Sequence, residues 1–143
     1  DRLLAIPPHI APKVIYDSGL AKESGFIPID RDCKTPIENV FAVGDVTSLT
    51  VVEKMAVPKA GIFAEGEGIT VAQNIIAKIQ SKEESALFDG KGGCFIESGR
   101  DTASVIEVDM FSQSKPLTNL TESTTDNLSK KIEFEKERLS KWL

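Results

Sequence analysis

The chain has 143 residues, 41% of them hydrophobic and 27% charged, which is the balance of a soluble globular protein with a real core. A net charge of −5 without a basic patch argues against nucleic acid as a partner. Two cysteines and one histidine, with no CxxC or Cys/His cluster, argue against a disulfide framework and predict no metal site.

The N-terminal third predicts short strands separated by breaks. Residues 2–6 are apolar enough for a strand, and Pro7 and Pro8 end it because proline lacks an amide donor. The chain opens with Asp and enters this apolar stretch at once, so we expect a fragment or a processed chain. Residues 25–30 alternate well enough to predict an edge strand.

The middle of the chain predicts a strand, a loop and a long helix. Residues 39–46, Asn-Val-Phe-Ala-Val-Gly-Asp-Val, contain four consecutive apolar positions and predict a strand buried on both faces of a parallel sheet. Residues 47–58 predict a loop. From Ala60 to about Gln80 the apolar residues recur at helical spacing and predict one amphipathic helix.

The C-terminal part predicts a hairpin, a loop and a helix. Two apolar runs at 94–97 and 103–108 flank the turn at 98–101. Residues 112–129 are rich in Ser and Thr and predict a surface loop, and 128–143 return to a helical stripe. The chain therefore divides into 1–80 and 81–143, the latter a small α+β region.

Gly44 and Asp45 are the most informative pair for function. A glycine at the end of a strand lets a ligand approach the backbone, and an aspartate supplies acceptors for the hydroxyls of a sugar or ribityl chain. Ligands of open α/β sheets gather at the carboxyl ends of strands. The alternative is an ordinary strand-to-turn Gly-Asp, which the spacing alone leaves open.

The start of the long helix is the second candidate feature. Free amide groups at a helix N-terminus attract partial negative charge, such as that on the pyrimidine edge of a reduced flavin. Lys59 would add to this field, and the alternative is a solvated surface lysine.

Together these features resemble the sulfide:quinone oxidoreductases and the flavin subunit of flavocytochrome c sulfide dehydrogenase, which are FAD-dependent pyridine nucleotide-disulfide oxidoreductases. The resemblance rests on Pro-Pro-His at 7–9, Asn-Val-Phe-Ala-Val-Gly-Asp at 39–45, Val-Pro-Lys-Ala-Gly at 57–61 and Gly-Gly-Cys-Phe-Ile-Glu at 92–97. It implies an α/β fold in which 1–80 are the C-terminal portion of a two-domain FAD/NAD(P)-binding fold.

The resemblance also implies roles for individual residues. Asp45 would hold the ribityl chain of FAD, with Gly44 giving backbone clearance, and the segment Lys59, Ala60 and Gly61 would face the isoalloxazine ring. Cys94 would be the catalytic redox cysteine, and the alternative is a small buried residue of a hairpin. Cys33 is interpreted as structural. Because no strand–GxGxxG–helix unit occurs, the FAD site in this chain would be incomplete and the chain alone inactive.

Three hypotheses follow for the parent protein. The first is an enzyme that passes electrons from sulfide or a related donor, through FAD, to a quinone or cytochrome. The second takes NAD(P)H as donor, as the type II NADH dehydrogenases do, and makes Cys94 incidental. The third makes the C-terminal helix an assembly or membrane-association module. We expect a cytoplasmic or peripheral membrane location and leave a homo-oligomer open.

Overall fold

A computed structural model describes the chain over residues 2–21, 25–52, 55–84, 86–99, 101–112 and 115–143. Parts of three predictions lie outside these residues, namely positions 53–54 of the predicted loop at 47–58, position 100 of the predicted turn and positions 113–114 of the loop predicted at 112–129. The chain forms two compact units, 1–88 and 89–143, whereas the sequence divided it after residue 80. The described residues form a mixed α/β structure with two three-stranded sheets.

The sheet of the first unit has the strand order β1-β2-β3. Strand β1 is Ile27–Ile29, β2 is Thr47–Val52 and β3 is Met55–Ala56. β1 runs parallel to β2, with Ile27 opposite Thr47, and β3 is antiparallel to β2. The predicted edge strand at 25–30 is confirmed, because β1 lies at the edge of this sheet and alternates between buried and half-buried side chains.

The predicted strand at 39–46 is wrong, and the strand lies in the predicted loop instead. Between 39 and 46 only Phe41 makes a β-bridge, to Lys34, and Gly44–Val46 form a single turn of 3-10 helix. Asn39 and Gly44 have φ angles of 63° and 79°, which interrupt an extended chain on both sides of the apolar run. Strand β2 begins directly after this turn, so the Gly-Asp pair precedes a strand rather than ending one.

The predicted strand at 2–6 is also wrong. Residues 2–10 have no regular secondary structure, and Leu4 is 97% exposed. The first helix, α1, spans Lys13–Asp17 and starts directly after Pro12. Prolines at 7, 8 and 12 remove backbone donors at close intervals, which leaves this segment unsuited to a strand ladder.

Helix α2, Gly61–Ile79, confirms the predicted helix in type and bounds, but Phe63 is its only buried apolar side chain. The buried side chains are Phe63, Glu67, Thr70 and Asn74, which recur at three- and four-residue spacing along one face. Ile69, Ile75, Ile76 and Ile79 are between 40% and 78% exposed. The buried face of α2 is therefore largely polar.

Hydrogen bonds made by the buried polar side chains explain part of this polar face of α2. The Asn74 side chain is 1% exposed and clamps the backbone of Ala86, donating to its carbonyl at 2.9 Å and accepting from its amide at 3.0 Å. Phe88 is 2% exposed and meets Phe63 edge to face with 6.2 Å between ring centroids. These contacts hold residues 86–88 against α2 and extend the first unit to residue 88.

The second unit confirms the predicted hairpin. Strand β4, Lys91–Gly99, pairs antiparallel with β5, Thr102–Asp109, and Cys94 lies opposite Ile106. A third strand, β6, covers Leu117–Leu120 and pairs with β5. The loop predicted for 112–129 is thus wrong over this strand and over the first residues of the following helix.

The predicted C-terminal helix is confirmed as α3, Thr125–Trp142. Thr124 caps it by accepting the Asn127 amide at 3.1 Å. Asn127 bonds to Thr121 just after β6, Lys131 forms an ion pair with Glu97, and Phe134 packs on Phe95. Of the stripe expected from the sequence, Leu128 is half-buried, whereas Ile132, Leu139 and Trp142 are 44–65% exposed.

Candidate functional site

The first unit contains a cleft of about 430 Å3, within the size range of small-molecule sites. We call it the Asp45 cleft. Its walls are the Pro-rich segment 8–12 with His9, the Phe26 ring, Asp45, Val46 and Lys59. A smaller cavity adjoins it at Asp45 and Lys59 and reaches Gly44, Ala60 and Glu67. Sequence-distant segments, 8–12, 44–47, 57–60 and the first turns of α2, therefore meet here.

The turn at Gly44–Val46 presents Asp45 to the cleft. Gly44 adopts a φ of 79°, in the left-handed region that favours glycine. The hydroxyl of Thr47 donates to the Gly44 carbonyl at 2.8 Å, which fixes the exit of the turn. The Asp45 side chain is exposed. An exposed carboxylate at the rim of a cleft is a hydrogen-bond acceptor available to a ligand.

Lys59 forms the opposite wall of the cleft. Its ammonium group donates to the Thr47 carbonyl and lies 4.6 Å from the centroid of the Phe26 ring. A cation over an aromatic face gains electrostatic attraction from the ring quadrupole. Burial lowers the pKa of Lys59, and the nearby Glu67 and Asp45 carboxylates oppose this shift. Lys59 is therefore partly desolvated and held in place, unlike a free surface lysine.

Glu67 is the residue of the site that the sequence did not reveal. Its side chain is 2% exposed on α2, and its carboxylate accepts the Gly44 amide at 2.6 Å. Burial raises the pKa of Glu67, with Asp45 raising it further, whereas the Gly44 bond and Lys59 lower it. The only sequence signal is the spacing of 63, 67, 70 and 74, which places this glutamate on the stripe of Phe63.

The first turn of α2 opens beside Lys59. Ala60 stands at the N-cap position with no side-chain cap, and it lines the smaller cavity. Gly61 is exposed, and a side chain added there would meet no atom within 4 Å. The helix start therefore leaves room for a ligand to approach its backbone, and the positive end of the helix dipole lies on this side.

The two cysteines differ in surroundings. Cys33 is 0% exposed in the first unit, and burial raises its pKa to about 12, with Glu67 and Asp32 adding to the shift. A thiol of this kind is inert, as expected for a structural residue. Cys94 lies in the second unit, exposed on β4.

The structure thus gathers Gly44, Asp45, Lys59 and Ala60 around one pair of adjoining cavities and places Gly61 directly after them. Cys94 belongs to the second unit and stands on the resemblance alone. Among the described residues, no group of three or more His, Cys, Asp or Glu side chains is arranged to hold a metal ion. Over the same residues, no helix combines the length and apolarity needed to cross a membrane.

Comparison with known proteins gives one partial similarity. The chain is 46% identical over 43 residues to the dihydrolipoyl dehydrogenase of Buchnera aphidicola subsp. Schizaphis graminum (strain Sg). The match covers 30% of this chain and 9% of that enzyme. No family model matches the chain. The similarity supports the broad class of pyridine nucleotide-disulfide oxidoreductases and does not extend to the sulfide:quinone subtype.

Proposed function

We propose that this chain is part of an FAD-dependent oxidoreductase and that the Asp45 cleft contributes to its flavin site. The observation that carries the proposal is that Asp45 and Lys59 line the cleft together with the Phe26 ring, while Gly44 and Ala60 line the smaller cavity beside it. The partial similarity to a dihydrolipoyl dehydrogenase supports the same broad class. The fold proposed with it is the C-terminal portion of an FAD/NAD(P)-binding two-domain fold.

The residues present fit the two ends of a flavin. Asp45 supplies an exposed carboxylate for the hydroxyls of a ribityl chain, next to a glycine turn without a side chain. Lys59 and the open start of α2 supply positive charge and backbone room for the electron-rich edge of the ring. When bound, the flavin supplies two-electron acceptance from a donor, and the protein binds and orients it.

The finer proposal names the donor and the acceptor. Electrons would come from sulfide or a related donor and leave to a quinone or cytochrome, with the exposed Cys94 as the redox-active thiol. Exposure satisfies one requirement of a reactive cysteine, because a reagent can reach the sulfur. The protein would act in the cytoplasm or at a membrane surface.

The alternative donor is NAD(P)H. In that case Cys94 has no part in the reaction, and its replacement leaves activity unchanged. The partial similarity to a dihydrolipoyl dehydrogenase supports the broad class of flavin oxidoreductases and does not decide between the two donors.

An assembly or membrane-association module is the third candidate, and one observation favours it. Ile132, Leu139 and Trp142 are 44–65% exposed along α3. A partly exposed apolar stripe of this kind can contact a second copy or a membrane surface.

The test is the absorption spectrum of the protein produced from its full gene. We expect visible flavin bands, and anaerobic addition of sulfide or of NADH should bleach them. Bleaching by sulfide that is lost in Cys94→Ser supports the finer proposal, whereas bleaching by NADH that is retained in Cys94→Ser supports the alternative donor. A colourless protein that takes up no added FAD would contradict the proposed function.

A further inference from the structure

We propose that Glu67 is the positioning residue of the Asp45 cleft: its buried carboxylate holds the Gly44 amide and thereby sets the direction in which Asp45 meets a hydroxyl-bearing ligand. Glu67 itself touches no ligand. The ligand part of this inference rests on the proposed function, whereas the contact with Gly44 is independent of it.

The first step is the contact itself. The Glu67 carboxylate accepts the Gly44 amide across 23 residues of sequence at 2.6 Å. Hydrogen bonds to an ionised acceptor are shorter and about twice as strong as neutral ones. The bond reaches the residue directly before Asp45, so a change at Glu67 is transmitted to Asp45 through one peptide unit.

The second step is the conformation that the bond stabilises. Gly44 is left-handed, and a Gly residue in an unrestrained chain visits many other conformations. The turn is held from two sides, because Glu67 accepts its first amide and Thr47 donates to its first carbonyl. Lys59 in turn donates to the Thr47 carbonyl, so both walls of the cleft are joined through this turn.

Burying the Glu67 carboxyl group beneath the turn costs solvation free energy. A carboxyl group that is 2% exposed loses its hydration, and an apolar side chain of similar size would avoid that loss. Three titratable neighbours act on it or are affected by it: Lys59 lowers its pKa, Asp45 raises it, and the Cys33 thiol interacts with its charge, while the Gly44 amide donates to it. Retaining a carboxyl group at this position is therefore explained by the bond to the turn.

The test compares Glu67→Leu, which removes the acceptor, with Glu67→Gln, which keeps an acceptor oxygen and the shape. Thr70→Val is the matched control, because Thr70 is buried on the same helix face and its hydroxyl donates to the Gly66 carbonyl of the same helix. Each protein is labelled with 15N and 13C and followed by NMR. The readouts are the Gly44 amide, the Asp45 carboxyl carbon and the Glu67 carboxyl carbon.

In the wild-type protein we expect the Gly44 amide proton to shift with pH at the same midpoint as the Glu67 carboxyl carbon. Glu67→Leu should speed hydrogen exchange of the Gly44 amide about tenfold or more and move the Asp45 resonances. Glu67→Gln should restore slow exchange and abolish the pH-dependent shift. Thr70→Val should leave both readouts as in the wild type.

The same substitutions, made in the protein from the full gene after removal of its bound flavin, are then titrated with riboflavin as the probe. Glu67→Leu should weaken binding about tenfold, and Glu67→Gln should recover most of it. If the chemical shift of the Gly44 amide proton did not change as Glu67 titrates, the inference would be overturned. This measurement needs only the wild-type protein, so it decides the question even where Glu67→Leu fails to fold. Absence of riboflavin binding by the wild type would count against the proposed function, whereas the NMR result decides the role of Glu67.

Discussion

The two units of the chain differ in how many polar side chains they bury: among the described residues the first unit buries five and the second only Asn127. The first unit buries polar side chains, Glu67, Thr70 and Asn74, on the inner face of α2. The second unit keeps its charges at the surface, as in the Lys131–Glu97 ion pair, and exposes apolar residues of α3 beside them. Buried polar groups are costly unless they are paired, so they mark the part of a protein where a specific geometry is maintained. This difference places the better-founded candidate site in the first unit.

The two cysteines follow the same division. Cys33 is enclosed in the first unit, whereas Cys94 is exposed in the second. A role in electron transfer was expected of Cys94 from the resemblance, and the structure adds only that its sulfur is accessible. If this division holds, the two units should differ in the reactivity of their thiols and in the stability that their buried rings contribute.

The largest expected effect is in thiol reactivity. A pKa of about 12 leaves roughly one Cys33 thiol in ten thousand ionised at pH 8, and burial further excludes a reagent. We expect Cys33 to react with an aromatic disulfide reagent about a thousandfold or more slowly than Cys94 in the native protein. The measurement is the time course of labelling with mass-spectrometric assignment.

Cys94→Ser provides the control for this comparison. The variant should show no fast-reacting thiol until denaturant is added, and then one. Rapid labelling of Cys33 in the native variant would show that the first unit is not enclosed as described.

The second effect is on stability. Phe88→Ala removes a ring that is 2% exposed and packs on Phe63, so we expect the free energy of unfolding to fall by about 3–5 kcal/mol. Phe95→Ala in the second unit removes a ring that is only half-buried against Phe134, and we expect about 1–2 kcal/mol. Urea unfolding followed by circular dichroism measures both. Equal losses would contradict the stated difference between the units.

The third effect is a pH dependence of stability. The folded-state pKa of Glu67 is raised above its ordinary value of 4.5, chiefly by burial. The protonated group therefore contributes stability that is complete below that value and is lost as the pH rises through the raised pKa. Glu67→Gln should lack this decline, so the stability of wild type relative to the variant should decrease from pH 4.5 upward. If the free energy of unfolding of the two proteins changed with pH in the same way, Glu67 would not be desolvated.

The smallest effect is expected on α3. Leu139 is 49% exposed, so Leu139→Gln should change the free energy of unfolding by less than about 0.5 kcal/mol. Sedimentation velocity of the same variant then tests the assembly hypothesis separately. A wild-type oligomer that dissociates in Leu139→Gln would assign the stripe to an interface, whereas a large loss of stability would mean that it packs within the unit.

The elements with the strongest local signals could be predicted from the sequence. The helix at 61–79, the hairpin around residue 100 and the final helix follow from periodicity over long segments. The strand at 39–46 could not be judged correctly, because four apolar residues do not reveal the left-handed conformations of Asn39 and Gly44. The polar character of the buried face of α2 could not be predicted either, since Glu67, Thr70 and Asn74 are buried there and four of its isoleucines are exposed.

Only those residues of the site that belong to a short sequence motif could be predicted from the sequence. The chemistry of Gly44, Asp45 and Lys59 next to predicted element ends marked them, and the structure places all three on the smaller cavity that adjoins the cleft. Glu67 escaped notice because a glutamate inside an amphipathic helix is ordinarily solvated, and only the tertiary fold places it beneath Gly44. The Phe26 ring and His9 reach the cleft through the same long-range packing.

The central claim is that Asp45 holds the hydroxyl-bearing part of a flavin, and comparing two flavins tests it most directly. Riboflavin carries a ribityl chain, and lumiflavin has a methyl group in its place. In the protein from the full gene, Asp45→Asn should weaken riboflavin binding about tenfold and leave lumiflavin binding unchanged, as measured by fluorescence quenching. Asp30→Asn, an exposed carboxylate outside the cleft, should affect neither. Equal affinity of wild type and Asp45→Asn for riboflavin would contradict the account.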